Sequence, residues 1–534
     1  MAHQKKILIS LLILILIISL TLFLSVSCAS AKGVPKEITK YAKDWPIANK
    51  DYSNSRSSFD SKINSSNVSK LGIAWAFVIP GASEWGAAAT NPLILGNTVY
   101  LQDLKSSVYA INFKTGALIW SKEYNLDNAG PTGPAIAGGK IFITKGHYEA
   151  AALDMKGNEL WSVKLSDNEN VGMDIQSTAF NGKFYVSTVP GVSNSNFYKG
   201  GSVGTLYALD ENTGKITWSF DTVDSKDIWG NPTVNSGGGA WYPPAIDPKT
   251  SIMYWGIANP GPWPGTPEFP NGTSRPGANL YTNSIVALDT EKGSMLWYNQ
   301  VLPHDLFDYD LQISPILATI SINGSNHDII IGAGKLGKVF GFDKSTGKTL
   351  WETKVGLHQN DELKELPAGT TKVSPGPLGG VETPMAYAEG VVYVPVINMT
   401  VEYTPTEFVG KSFDLGAATG ELVAIDAATG KILWDKKIDQ MVAGAATVVN
   451  DLVFTSTYNG QIYAFNRKTG DEIWSYQAPG GINGWPAVSG DTIIFPIGVG
   501  AKPVLLALSL GAAPVETVPV TTLPQGGTGK EFAQ

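Results

Sequence analysis

Short apolar runs alternate with turn residues along almost the whole chain, and the alternation repeats. Residues 108–120 read VYAINFKTGALIW, a buried-type run, a turn and a second run ending in Trp. Residues 206–218 read LYALDENTGKITW and residues 285–297 read IVALDTEKGSMLW. The pattern returns at 339–351, 422–434 and 462–474, and in shortened form at 151–161. Apolar runs of this length, bounded by Asp, Asn, Thr and Gly, predict strands joined by tight turns. Asp or Asn starts the turn by bonding its own backbone. The Gly, always four residues before the Trp, takes the positive-φ position that a Cβ disfavours. A Trp at a fixed offset in every copy needs a large apolar contact and a partner for its N–H, which predicts docking on the neighbouring repeat.

An eighth Trp closes the run from Lys70 to Trp75 but has no such turn before it, and the last apolar run, Val504 to Leu508, has no Trp after it. These halves complement each other. They predict one repeat shared between the chain ends, closing the repeats into a ring without exposed edges. Trp-to-Trp spacings are 45, 41, 57, 79, 54, 83 and 40 residues. The short ones fit four-stranded blades. The predicted fold is therefore all-β, an eight-bladed β-propeller over residues 41–511, with an open β-solenoid as the other arrangement of such repeats. The long spacings, Trp218 to Trp297 and Trp351 to Trp434, carry insertions, where function concentrates.

Composition narrows the chemistry. The 534 residues carry a net charge of -8, and no Lys/Arg-rich block follows the extreme N-terminus, which argues against a nucleic-acid partner. One Cys excludes an intramolecular disulfide, a thiolate zinc site and a CxxCH haem attachment, and five scattered His argue against a His-rich metal site. Lys5 and Lys6 precede an apolar stretch from Ile7 to Leu24, the pattern of an export signal. Residues 1–31 are thus expected to be a signal peptide, cleaved after Ala31, retained as a membrane anchor, or lipidated at Cys28. Each option places the folded part outside the cytoplasm, in a periplasm or at a cell surface. The Pro- and Thr-rich tail, 512–534, is expected to be disordered.

The repeat resembles that of eight-bladed quinoproteins, and it also occurs in non-catalytic envelope propellers. More specific segments follow in order: Asp44-Trp45-Pro46, Gly237-Gly-Gly-Ala-Trp241, Asn259-Pro-Gly-Pro-Trp263, Pro303-His-Asp-Leu-Phe-Asp-Tyr-Asp310, Lys335-Leu-Gly337 and Asn398. As a set they resemble the quinoprotein alcohol dehydrogenases, which depend on pyrroloquinoline quinone (PQQ), over nearly all of the chain after residue 44. The resemblance implies PQQ with a calcium or lanthanide ion. Trp241 would floor the quinone ring. Asn259, Asp308 and Asp310 would bind the metal, Asp308 also serving as catalytic base. Lys335 would meet the quinone oxygens and Asn398 would contact the cofactor from the opposite side. The implied reaction is oxidation of an alcohol, with electrons leaving to an external acceptor such as a cytochrome c. The residue types suit it, because no side chain accepts a hydride and a hard cation takes oxygen ligands.

Other positions depart from the family pattern. Val192 stands where a metal-binding Glu is implied, Ala89 where a cofactor-binding Glu is implied, and Lys502 ends a run that closes on Trp in the family. The paired cysteines and the Arg after them are absent. Singly, Trp241 reads as blade packing, Asn259 as a turn, His304 as structural, Lys335 as a surface charge, and Asp305, Asp308 and Asp310 as a solvated acidic loop. The competing reading is a non-catalytic envelope propeller that binds partners.

Overall fold

The computed structural model describes residues 32–191, 200–322 and 324–512. Residues 1–31, expected to be an export signal or anchor and including Cys28, the position of Val192 and the tail from residue 513 lie outside them. No helix among the described residues is long and apolar enough to cross a membrane. Strands dominate, arranged as eight blades that follow one another around a ring. Blade one runs Leu93–Leu95, Thr98–Gln102, Val108–Asn112 and Leu118–Lys122, each strand antiparallel to the last. Blades two to seven repeat this order, beginning at Ala135, Thr178, Ala245, Ile316, Ala386 and Thr447. Blade eight has three strands from the C-terminal side, ending with Val504–Leu510. Its fourth, Leu71–Val78, comes from the N-terminal side, with Leu71 opposite Leu510 and Val78 opposite Val504. The shared blade predicted from the sequence is therefore present, and the ring is closed.

The turn chemistry works as the repeat implies. In blade one the Asn112 side chain accepts from the backbone N–H of Lys114 and Thr115 at 3.0 and 3.1 Å. Gly116, at φ +70°, donates to Asn112 O, and the register slips by one residue beside it. Asp210, Asp289, Asp343 and Asp426 do the same in later blades.

Seven of the eight repeat Trp then cross to the next blade, all but Trp474, whose next blade lacks the turn. Trp75 donates its indole N–H to Phe113 O, Trp120 to Met155 O, Trp161 to Glu211 O, Trp218 to Thr290 O, Trp297 to Lys344 O, Trp351 to Ala427 O and Trp434 to Arg467 O, at 2.8 to 3.2 Å. In all seven the indole lies over the turn Gly of that next blade. The glycine thus has two reasons to lack a Cβ, its φ and the ring above it.

The N-terminal segment ties the blades together a second time. Trp45 pairs with Ile94 of blade one. Tyr52 O accepts from Ile246 N of blade four, Ser53 O from Leu317 N of blade five, Ser55 O from Tyr387 N of blade six and Arg56 O from Val448 N of blade seven. Lys62 N then reaches Gly490 O of blade eight. Arg56 is fully buried and has no carboxylate partner among the described residues. Its guanidinium donates to Ala446 O, Asn49, Asn91, Thr447 and Pro486 O, which joins blades seven, eight and one. Burial pushes its pKa down to about 9.

Gly293→Ala should destabilise the ring well beyond the backbone cost alone, because its Cβ would sit 2.5 Å from Trp218 Cδ2 and φ is +67°. Gly490→Ala is the control, with φ +59° and no atom within 4 Å of the new Cβ. Thermal unfolding should show the larger fall in Tm for Gly293→Ala; equal falls would mean that the indole contact contributes nothing.

Candidate active site

One cavity of about 260 Å³ is lined by segments from all around the ring, from Ala89 and Gly130 through Asp174, Trp241, Asn259, Asp308, Lys335 and Glu382 to Trp485. A cavity that every part of a closed ring borders lies on the ring axis. The long insertions supply much of its wall, including Trp263 and Phe408.

Backbone close approach sets Trp241. The strand Ser236–Gly238 runs parallel to Ser202, Val203 and Gly204 and antiparallel to Pro260–Gly261. Gly237, Gly238 and Gly239 all have positive φ, and a Cβ on Gly238 or Gly239 would strike Thr222 or the Thr188 carbonyl. Only glycine fits this crossing. It delivers Trp241, half-buried, to the cavity.

The loop between blades four and five delivers the acids. Asp305 is buried and structural: its carboxylate accepts from Phe307 N at 2.8 Å, Tyr309 N at 2.6 Å and Asn283 Nδ2 at 3.0 Å. The turn it holds places Asp308 at φ +66°, a backbone state rare for a residue with a side chain. Asp308 and Asp310 both reach the cavity and are 9% and 0% exposed. They do not form a solvated acidic loop. Asn259 N donates to Asp310 Oδ1 at 2.6 Å, and Asn259 Nδ2 donates to Pro260 O at 3.1 Å. That leaves the Asn259 amide oxygen as the group it offers to the cavity.

Lys335 is no surface charge. It sits in the turn between the strands Ser325–Gly334 and Lys338–Asp343, 7% exposed, with Nζ 2.9 Å from Asp308 Oδ2 and 2.6 Å from Asp310 Oδ2. Burial alone would lower its pKa, but two carboxylates at contact distance raise it well above the usual lysine value. Burial pushes the Asp308 carboxyl up, Lys335 opposes this and Asp310 reinforces it. Glu382 also lines the cavity and is pushed up to about 8, by burial first, with Lys335 opposing. Among the described residues the lining thus holds four acids, Asp174, Asp308, Asp310 and Glu382, against one cation, Lys335.

That surplus of hard oxygen donors suits a cation. Among the described residues, no three Asp, Glu, His or Cys side chains form a metal-holding group by themselves. Asp308, Asp310 and Asn259 could hold such an ion as part of an oxygen set, the remaining ligands being supplied by a bound cofactor or water. Trp241 offers the flat apolar face that a planar ring system needs.

Five of the six site residues expected from the sequence, Trp241, Asn259, Asp308, Asp310 and Lys335, meet at this cavity. Asn398 does not. It ends the strand Val391–Asn398, where alternation turns Ile397 to the cavity and Asn398 away. Its amide is already committed, accepting from Leu357 N and donating to Glu421 Oε1, both at 2.9 Å. Ala89 lines the cavity, whereas Lys502 is exposed and does not. His304 bonds the Asn271 carbonyl and stays outside it. Asp174, Glu382, Gln312 and Trp485 were not anticipated. The one available signal was an acid inside an apolar run, as in Met173-Asp174-Ile175.

Known proteins resemble this chain in sequence and in fold. Residues 186–371 match the family described as "Glucose/ethanol/alcohol dehydrogenase, beta-propeller domain". Residues 80–188 and 370–511 match "Outer membrane protein assembly factor BamB". The chain is 30% identical to a quinoprotein ethanol dehydrogenase of Pseudomonas putida over 501 residues, 79% of each chain. It is 27% identical to a lanthanide-dependent methanol dehydrogenase of Methylorubrum extorquens over 512 residues, 81% of this chain and 82% of the relative. The solved quinohemoprotein alcohol dehydrogenase of Pseudomonas putida HK5 shares the fold, with TM-score 0.78 and 23% identity over 92% of this chain and 83% of that one.

Lys335→Met would leave two buried carboxylates without a counter-ion and should cost roughly 3–5 kcal/mol of stability. Chemical denaturation of the cofactor-free protein measures this. Adding Asp308→Asn and Asp310→Asn should restore most of it; no restoration would mean that the lysine acts through packing.

Proposed function

The chain belongs to the quinoprotein alcohol dehydrogenase family, and on that footing we propose that it is an exported dehydrogenase oxidising an alcohol in the axial cavity with PQQ and a calcium or lanthanide ion. The observation that carries this reading is the convergence of Trp241, Asn259, Asp308, Asp310 and Lys335 on one cavity from separate parts of the chain. When bound, PQQ supplies the two-electron acceptor that no side chain provides, and the ion polarises it. Asn259, Asp308 and Asp310 would hold that ion, and Trp241 would support the ring.

Asp308 is the base. Its buried carboxylate accepts the hydroxyl proton of the alcohol, and the upward pull of burial makes it a stronger acceptor than an exposed carboxylate. The positive-φ turn fixes its direction, so little reorganisation is needed at the moment of transfer. Lys335 screens Asp308 from Asp310, which keeps two acids usable within one small volume. Its remaining N–H can donate toward the acceptor's oxygens. The apolar wall, with Trp263, Phe408 and Leu378, excludes bulk water and favours a small organic alcohol. The electrons would pass to an acceptor outside the cavity, a cytochrome c being one. The apolar N-terminal segment supports export or anchoring.

The competing non-catalytic reading draws on Ala89 and on a cavity with one cation against four acids. A reconstitution decides between them. With PQQ and calcium or a light lanthanide, the protein should reduce an artificial dye when given short primary alcohols. Asp308→Asn should lose roughly 10²–10⁴-fold in rate while keeping bound quinone absorbance. Absence of bound quinone under every ion would defeat the enzyme reading.

A further inference from the structure

The wall of the cavity contains two polar side chains that the mechanism does not use. Asp174 is 1% exposed and Trp485 3% exposed, and both line the cavity. One oxygen of Asp174 is held by the backbone N–H of Gly130. The other, Oδ2, is buried with no hydrogen-bond partner among the described residues. Trp485 Nε1, which can only donate, is likewise buried and unpartnered. Both border Tyr242: its ring lies 5.5 Å from that of Trp485, and Asp174 is close enough to act on its hydroxyl. Leaving such groups unsatisfied is costly, so a built pocket with two of them asks for a ligand that completes both.

Among the described residues Asp174 has no ion pair. The backbone of Ala129 and Gly130 holds it, and it faces the neutral Tyr242, whose hydroxyl donates to Glu382 O at 2.6 Å and is also within the influence of Lys335 and Asp310. Asp308, Asp310, Glu382 and Lys335 form their own cluster, and His147 joins the Asp174 segment only through its carbonyl, which accepts from Met173 N. We propose that Asp174 and Trp485 form a neutral donor pair that takes one carboxylate of the bound quinone, a role that rests on the PQQ reading above. PQQ is a tricarboxylate, and its carboxylates need donors in a cavity that has no arginine on its wall. A protonated Asp174 donates through Oδ2–H and the indole donates through Nε1–H, one to each oxygen of the anion. Burial, which raises the Asp174 carboxyl well above the usual range, supports the neutral form. No charge is then buried against the anion. Asp174 is a cofactor-binding residue here and moves no proton in the reaction.

The test has a spectroscopic arm and a binding arm. In the cofactor-free protein at neutral pH, the infrared difference between wild type and Asp174→Asn should contain the C=O stretch of a protonated carboxyl. In equilibrium dialysis against PQQ with calcium, Asp174→Asn keeps a donor and should bind within about threefold of wild type, whereas Asp174→Leu and Trp485→Phe should each bind roughly tenfold or more weakly. Trp485→Phe and the infrared band keep the test decisive if Asp174→Leu does not fold. Absence of the band overturns the proposal. So does tenfold tighter binding by Asp174→Asn, which would mean an ionised, repelling wild-type Asp174. Unchanged binding by Asp174→Leu and Trp485→Phe overturns it while leaving the PQQ reading intact. Failure of wild type to bind PQQ with any ion overturns both.

Discussion

An indole laid over the next blade's turn glycine is the contact on which the rest depends. A four-stranded blade on its own has two open edges and a half-covered core. The Trp-over-Gly contact supplies apolar burial, and the N–H bond to the neighbouring backbone fixes its direction. Seven such contacts set the angle from blade to blade, and the pairing of Leu71–Val78 with Val504–Leu510 closes the circle. A closed ring has an axis, and residues hundreds of positions apart, such as Asp174 and Trp485, meet there.

The site uses that convergence to concentrate charge. Two carboxylates share one lysine, a third stands beside them and a fourth lines the same cavity. Buried acids of this number are tolerated only if some are protonated or a cation arrives. The two ends of the cavity resolve the problem differently. The Asp308 end has Lys335 and oxygen donors suited to an ion. At Asp174 no ion pair forms among the described residues, and burial raises its carboxyl well above the usual range. The cavity therefore suits a ligand that is metal-binding at one edge and anionic at another.

Much of this was legible in the chain. The Asp-to-Gly-to-Trp spacing is a local code, and each element of it has one physical job, so blade number and closure followed from counting. Trp241 and Asp308 were legible only as members of an ordered set of segments resembling the quinoprotein alcohol dehydrogenases; singly they read as blade packing and a solvated loop. Asn398 was misplaced because strand alternation, which decides whether position 397 or 398 faces the axis, depends on where the strand ends. Asp174 and Glu382 went unseen for a related reason. An acid inside an apolar run looks like any edge residue until closure of the ring buries it, and burial is a property of the assembled fold.

The central claim is that one axial cavity holds quinone and ion together. A crystal structure of the protein reconstituted with PQQ and a lanthanide, using the ion's anomalous scattering to locate it, tests this most directly. The account predicts an anomalous peak among Asn259, Asp308 and Asp310 with the quinone ring lying on Trp241. A peak away from these three side chains, or a quinone bound off the axis, would contradict it.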